Sequence, residues 1–170
     1  MPICGFILPM TPLQAAEQAA RQAGALLREN FLRDKDIDEA RHHDVKLALD
    51  RQSQDLITEI LLDAYPDYAL YGEEGLAGNQ DSAYQWIVDP IDGTVNYLYS
   101  IPHFCISIAL RTREPEELIM GLIYDPMLDD SGPWKKADLL RSIANSSPVP
   151  HGANWRNRFS SSVVARTRKP

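Results

Sequence analysis

A run from Trp86 to Thr94 constrains the fold of this chain more than any other segment. Its apolar first half predicts a strand that delivers Asp89 at its end, and Pro90 fixes the turn that follows. Asp92 projects from that turn three residues after Asp89, so both carboxylates can converge on one point. Carboxylates that converge repel one another unless a cation compensates their charge. The run therefore predicts a cation site at the end of a strand.

The residues that follow Asp92 suit a phosphate group. Gly93 allows a ligand to approach the backbone closely, because it carries no side chain. A short helix is predicted to begin here, and the N–H groups of Gly93, Thr94 and Val95 at its start can hold a phosphate oxygen. A cation and a phosphate group would therefore meet at the same place.

The simpler alternative is that Asp92-Gly93 is only a turn and that Asp89 only terminates a strand. Two further acidic positions weigh against this alternative. Gly72-Glu73-Glu74 supplies a second acidic strand end, and Asp50 follows a short alternating segment. Acidic residues at the ends of neighbouring elements would repel one another if they were buried, and a bound divalent ion removes that cost.

The order of the predicted elements indicates an α+β or layered chain. A first helix follows a capping box of Thr11 and Gln14 and runs to about Phe31, and a second helix is predicted from about Asp50 to Tyr65. The remaining predictions are a loop or short hairpin arm at Asp34 to His43, strands at Tyr68 to Tyr71, Tyr84 to Val88, Cys105 to Leu110 and Leu118 to Tyr124, and a short helix at Asn96 to Tyr99. Helices that precede strands without alternating with them argue against a purely parallel sheet.

Charge divides the chain near residue 130. Residues 1–130 hold 9 Lys and Arg against 23 Asp and Glu, a net charge of −14, whereas residues 131–170 hold 8 against Asp138 alone, a net charge of +7. An acidic body suits hard cations and disfavours nucleic acid as a partner. Apolar periodicity also ends after residue 130. We therefore predict a metal-binding part over residues 1–130 and a divergent basic tail over residues 131–170 that is largely disordered.

Nothing in the sequence directs the chain to a membrane or out of the cell. Its apolar runs at 104–110 and 118–124 are far shorter than the roughly 20 residues that a membrane-spanning helix needs. The apolar stretch 1–8 lacks the charged leader and the cleavage site of a secretory signal. Cys4 and Cys105 form neither a disulfide framework nor a metal-ligand spacing and are predicted to be buried thiols. We expect a soluble, cytoplasmic protein.

Histidines offer weaker candidates for a functional site. His42 and His43 stand beside Asp44, but adjacent residues of a strand point to opposite faces, which favours a solvated loop over a metal site. His103 follows the acidic motif, and the sequence leaves open whether it lines the site or only packs.

Together these motifs resemble the inositol monophosphatase family. Residues 86–94 match its motif W-[IV]-[IV]-D-P-[IL]-D-G-T, and residues 72–74 match its G-E-E. Residues 101–102 and 107–110 are similar to its F-P and S-I-[AG]-L segments, and residues 121–126 are similar to its G-[VL]-[IV]-Y-[DN]-P. The resemblance implies the N-terminal half of a layered α-β-α sugar phosphatase fold, Mg²⁺-dependent hydrolysis of a small phosphomonoester, and a homodimer.

The resemblance also implies a set of metal ligands. Glu73, Asp89 and the carbonyl group of Ile91 would bind a first Mg²⁺, and Asp89 would bridge to a second ion that Asp92 also binds. Two ions about 3.5–4 Å apart lower the pKa of a bound water molecule and stabilise the leaving oxygen.

Catalytic roles follow from the same resemblance for Asp50, Thr94 and Glu73. Asp50 and the Thr94 hydroxyl would orient the attacking water, although the family usually reads T-x-x-D here and this chain has Leu47 in place of the threonine. No covalent nucleophile is indicated. The predicted reaction is therefore direct in-line attack of water on the phosphomonoester.

The resemblance covers about residues 11–129 and does not continue into the basic tail. The family's second metal site uses another aspartate from its C-terminal half, and Asp138 does not stand in that motif. We therefore expect a truncated or frame-shifted product whose own activity is open. Two functions remain: hydrolysis of an inositol phosphate or related sugar phosphate, and a non-catalytic or regulatory binding role that retains the metal motif.

Overall fold

The computed structural model describes residues 10–35, 37–41 and 44–135, with the backbone alone for 37–41, 44–46 and 133–135. These residues belong to one compact unit, Met1–Lys135. The second unit, Lys136–Pro170, lies outside the described residues, and so do the disorder predicted for most of the tail and the predictions for His42, His43 and Cys4. Among the helices that are described, none is long and apolar enough to cross a membrane.

Helix α1 spans Pro12–Asn30, and its start is the predicted capping box. The Thr11 hydroxyl accepts a hydrogen bond from the N–H of Gln14 at 3.3 Å, and the Gln14 side chain accepts one from the N–H of Thr11 at 2.9 Å. The buried residues of α1 recur at helical spacing and are mostly small: Ala15, Ala16, Ala19, Ala20, Ala23, Gly24 and Leu27. This narrow apolar stripe lets α1 lie close against the sheet.

A short hairpin connects α1 to the second helix. Strands β1 (Ile37–Arg41) and β2 (Asp44–Leu47) pair antiparallel, which agrees with the hairpin arm that the sequence allowed. Helix α2 (Ala48–Ala64) follows β2 directly and ends before Pro66, whose ring cannot continue a helix. Its buried residues include three polar ones near its N-terminus: Asp50, Ser53 and Gln54.

Six strands form one mixed sheet in the order β4-β3-β5-β6-β7-β8. They are β3 (Ala69–Gly72), β4 (Gly75–Gly78), β5 (Tyr84–Asp92), β6 (Cys105–Thr112), β7 (Glu117–Asp125) and β8 (Asp130–Lys135), and a short helix α3 (Thr94–Leu98) stands between β5 and β6 in the chain. Among these described strands, β3 and β5 pair in parallel and all other neighbours are antiparallel. The predicted α+β class is confirmed.

Helices α1 and α2 cover one face of this sheet. Helix α1 packs on β6 and β7, and α2 packs on β5. The side chains of Trp86 and Val88 on β5 and of Ile108 on β6 belong to the core that these helices bury. Because successive side chains of a strand point to opposite faces, Ile87 and Asp89 face away from the helices.

Three strand assignments differ from the sequence prediction. Strand β4 was not predicted, because a four-residue segment with glycine at both ends shows no alternating pattern. Strand β5 runs through Pro90 to Asp92 and does not stop at Asp89. Strand β8 was not predicted, and it runs five residues into the tail that was predicted over residues 131–170. The division of the chain at residue 130 itself stays a prediction.

Candidate functional site

Glu73 and Asp89 lie close to the carboxyl ends of two neighbouring parallel strands, β3 and β5. Gly72, the last residue of β3, is in register with Val88 of β5. Glu73 and Asp89 follow these two partners directly. Because the carboxyl ends of parallel strands meet at the same edge of a sheet, the backbone brings Glu73 beside Asp89.

A β-bulge places Asp92 on the same face as Asp89. Asp89 pairs with Ser107 and Asp92 pairs with Cys105, so three steps along β5 oppose two steps along β6. Cross-strand partners share a face, and Ser107 and Cys105 are two residues apart on one strand. In a regular strand, Asp89 and Asp92 would point to opposite faces. The extra residue in β5 therefore puts both carboxylates on one face of the sheet. The sequence analysis predicted this convergence but attributed it to a turn.

These two carboxylates differ in their surroundings. Asp89 is buried, with 7% of its surface exposed, whereas Asp92 is half-buried. The Cys105 thiol donates to Asp92 Oδ2 at 3.8 Å, which ties the carboxylate to the first residue of β6. Cys105 is buried, as predicted.

Asp50 stands at the start of α2 and is buried. Its Oδ2 accepts a hydrogen bond from the N–H of Leu47 at 2.7 Å. A carboxylate in this position caps the helix start and meets the positive end of the helix dipole. Asp50 therefore has a structural role that the sequence analysis did not assign to it, beside the catalytic role that stays a prediction.

Gln54 is a residue near the site that the sequence analysis missed. It follows Asp50 by one helical turn, is buried, and accepts a hydrogen bond from the N–H of Glu74 at 2.8 Å. Gly72 lacks the side chain that would occupy this space, since a Cβ atom there would stand 2.2 Å from Gln54 Oε1. This contact brings the N-terminal part of α2 to the end of β3. A glutamine on the apolar face of an amphipathic helix was the signal available in the sequence.

The turn after β5 brings Thr94 to Ile91. The Thr94 hydroxyl donates a hydrogen bond to the carbonyl oxygen of Ile91 at 3.0 Å, and that oxygen keeps a second lone pair for a cation. Gly93 has a φ of 105°. A Cβ atom at Gly93 would also stand 3.1 Å from the carbonyl oxygen of His103, so both conformation and space favour glycine here.

Helix α3 lies close to Asp50. Tyr97 is fully buried and donates its hydroxyl to the carbonyl oxygen of Leu27 at 2.8 Å. Burial raises the pKa of Tyr97 to about 12, with a further contribution from the negative charge of Asp50. Tyr97 and Asp50 are therefore close enough for the charge of Asp50 to act on the Tyr97 hydroxyl. His103 is exposed, and its carbonyl oxygen accepts a hydrogen bond from the Asn96 side chain.

The backbone positions of the predicted metal ligands agree with a shared site, whereas their side chains are not gathered into one group. Within the described parts of the chain, no three His, Cys, Asp or Glu side chains form a group that could hold a metal ion. Glu73, Asp89 and Asp92 are hard oxygen donors of the type that Mg²⁺ prefers, and the strand register brings their backbones to one sheet edge. Carboxylates repel one another without a cation among them. The ligand set stays a prediction.

Comparison with known proteins gives the family. The pattern that describes the inositol monophosphatase family matches residues 10–166, which extends past the last recognisable motif and into the basic tail. Among curated proteins, the chain is 35% identical over 121 residues to the Nus factor SuhB of Pasteurella multocida, covering 69% of this chain and 45% of that protein. It is 37% identical over 119 residues to the fructose-1,6-bisphosphatase/inositol-1-monophosphatase of Aquifex aeolicus, covering 69% and 44%.

Solved structures give the same result. The extragenic suppressor protein suhB from Bartonella henselae superposes with a TM-score of 0.67 at 30% identity, and the Thermotoga maritima IMPase with a TM-score of 0.65 at 27% identity. Each comparison covers 73% of this chain and 48% of the other. The chain thus spans a little under half the length of the relatives that it matches. It belongs to the inositol monophosphatase family.

Proposed function

We propose that this chain carries the metal-binding and phosphate-binding part of a Mg²⁺-dependent phosphomonoesterase that acts on an inositol phosphate or a related sugar phosphate. The observation that supports this most is the strand register. It puts Asp89 and Asp92 on one face of the sheet, beside the end of β3 that leads into Glu73. The names of two relatives, inositol-1-monophosphatase and fructose-1,6-bisphosphatase/inositol-1-monophosphatase, support the substrate class.

In this proposal Glu73, Asp89 and the carbonyl group of Ile91 would hold a first Mg²⁺, and Asp92 would share a second with Asp89. When bound, Mg²⁺ would neutralise charge on the phosphate ester and lower the pKa of a water molecule. Glu73 also counts among the catalytic residues, because it would fix the ion beside the reacting phosphate.

The remaining chemistry belongs to Asp50, Thr94 and the backbone at the start of α3. The bond from the Leu47 N–H fixes the Asp50 carboxylate, and the bond to the Ile91 carbonyl fixes the Thr94 hydroxyl. These two groups would orient the attacking water, and the Asp50 carboxylate would take its proton. The N–H groups of Gly93, Thr94 and Val95 would hold a phosphate oxygen.

A second candidate function is binding of a macromolecular partner without catalysis. Several curated relatives carry the name Nus factor SuhB, which is not the name of an enzyme. A regulatory role of this kind needs the fold but not the metal ligands. We further propose a cytoplasmic location, a small phosphorylated substrate, and self-association into a homodimer.

Phosphate release from inositol 1-phosphate and fructose 1,6-bisphosphate, with Mg²⁺ or with a chelator, separates the two functions. We expect Mg²⁺-dependent release that falls about 100-fold or more in Asp89→Asn. Asp81→Asn is the matched control, since it makes the same change at an exposed loop position. Release that survives the chelator, or that falls equally in both variants, would contradict the proposed ligands. A folded sample without any turnover would favour partner binding.

A further inference from the structure

We propose that Lys35 is a positioning residue that holds helix α3 onto the end of α1 and so fixes Thr94. The Lys35 ammonium group donates to the carbonyl oxygen of Phe31 at 2.7 Å and to the Ser100 hydroxyl at 3.0 Å. One cation thus joins the end of α1 to the residues that follow α3. The expected effect of Lys35 on catalysis through Thr94 rests on the proposed function. The contact by which Lys35 stabilises α3 does not.

The end of α1 provides the acceptors for this contact. The last carbonyl groups of a helix have no partner within the helix, and a cation near them interacts favourably with the helix dipole. Lys35 supplies that cation to Phe31 and also donates to the carbonyl oxygen of Arg33 at 3.2 Å. The connection between α1 and β1 is therefore folded back on the helix end.

The residues at the end of α3 complete the contact. Ser100 has a φ of 54°, a left-handed conformation, and its N–H donates to the carbonyl oxygen of Tyr97 at 3.0 Å. Its hydroxyl accepts from Lys35 and donates to the carbonyl oxygen of Phe31 at 3.1 Å. The Tyr97 hydroxyl bonds to Leu27 one turn earlier on α1. Three side chains, of Lys35, Tyr97 and Ser100, thus connect the two helices.

Two aromatic rings lie near the same ammonium group. Lys35 Nζ lies 5.7 Å from the ring centre of Phe31 and 5.3 Å from that of Tyr97. Both distances are within the range of cation–π attraction. These rings also contact each other edge-on at 5.8 Å between centres. The ammonium group is therefore placed by several independent contacts.

Helix α3 needs such support because it has only five residues. A helix of this length does not persist without tertiary contacts, since its first turn costs more entropy than its few hydrogen bonds return. Thr94 is the first residue of α3. If the helix loosens, the Thr94 hydroxyl loses its hydrogen bond to the Ile91 carbonyl oxygen, and the proposed chemistry requires a fixed Thr94 hydroxyl.

Hydrogen exchange of the full chain, measured by mass spectrometry on peptides that cover residues 94–103, tests the hold on α3. Lys35→Met keeps an aliphatic side chain and removes the ammonium group. We expect about tenfold faster exchange in these peptides, from the loss of hydrogen bonds to a charged donor. Lys35→Arg should restore slow exchange, because the guanidinium group can reach both acceptors.

Arg33→Met is the matched control, since Arg33 is exposed and pairs with Glu29 on the surface of α1. It removes the same charge two residues away and should leave exchange over 94–103 unchanged. Equal exchange in Lys35→Met and Arg33→Met would overturn the proposal. If Lys35→Met does not fold, Ser100→Ala removes the hydroxyl that accepts from Lys35. Its exchange over residues 94–103 is then compared with that of Arg33→Met in the same way.

Kinetics give a second readout that a purely structural role would not move. In Lys35→Met we expect kcat to fall about tenfold and KM to rise, because the start of α3 carries both the Thr94 hydroxyl that orients the attacking water and the N–H groups that would hold a phosphate oxygen. A wild-type chain without activity would refute the proposed function and leave the exchange result to decide on Lys35. Faster exchange with an unchanged kcat would refute the link to Thr94.

Discussion

Gly72 and Gln54 offer the sharpest test of how this chain assembles its acidic strand ends. A Cβ atom at Gly72 would stand 2.2 Å from Oε1 and 2.3 Å from Cδ of Gln54. Both residues are buried, so Gly72→Ala must displace the Gln54 side chain and break its hydrogen bond from the N–H of Glu74. Overpacking costs about 1–3 kcal/mol and the lost hydrogen bond about 1 kcal/mol. We therefore expect Gly72→Ala to lower the free energy of unfolding by about 2–4 kcal/mol.

The same substitution should change sign when Gln54 is removed first. Gly72 does not have a positive φ, so its backbone accepts alanine. Alanine in a strand is about 0.5–1 kcal/mol more favourable than glycine. In a Gln54→Ala background, Gly72→Ala should therefore be neutral or slightly stabilising. The coupling energy between the two positions is then about 3 kcal/mol.

Urea unfolding of the four chains, followed by circular dichroism, measures this cycle. The free energies come from linear extrapolation, and equal m-values show that the variants unfold in the same way. A cost of Gly72→Ala that is the same with and without Gln54 would refute the proposed packing of α2 on the end of β3. It would also remove the contact that brings Asp50 towards Glu73.

Two further predictions concern the packing of α1. Gly24→Ala should destabilise the chain by about 1–3 kcal/mol despite the better helix propensity of alanine, because its Cβ would stand 2.4 Å from Tyr124 Cε1; unchanged urea stability would contradict this. Tyr97 has a pKa of about 12 when folded, against 10.0 for an ordinary tyrosine. The stability that this shift contributes is fully present below pH 10 and is lost as the pH rises from about 10 to about 12, because the unfolded chain releases the proton first. Tyr97→Phe should flatten this loss between pH 9 and 11 in urea unfolding, and an equally steep loss in the variant would contradict the assignment.

The sequence predicted correctly those parts of the fold that depend only on residues close together in the chain. The capping box of Thr11 and Gln14 marks the start of α1, and Pro66 marks the end of α2. Strand β4 carries no such signal, since its glycines offer neither alternation nor side chains to pack. It forms because it can pair with β3, and pairing is a property of the whole sheet.

The candidate site shows the same division between local and tertiary information. The sequence indicated that Asp89 and Asp92 share a side, but it attributed this to a turn, whereas the structure has a continuous strand with a bulge opposite Cys105. The bulge depends on the register of β6, which no local pattern contains. The contact between Gln54 and Glu74 likewise joins two distant parts of the chain. The run itself predicted a cation site at Asp89 and Asp92, whereas the full ligand set, with the Ile91 carbonyl group, came from family resemblance.

Magnesium titration of the folded chain by isothermal calorimetry tests the central claim most directly. If Glu73, Asp89 and Asp92 gather around Mg²⁺, the chain should show saturable uptake, the Asp89→Asn and Asp92→Asn variants should lose it, and Asp81→Asn should retain it. A folded sample that takes up no Mg²⁺, or uptake that Asp89→Asn leaves unchanged, would contradict the account.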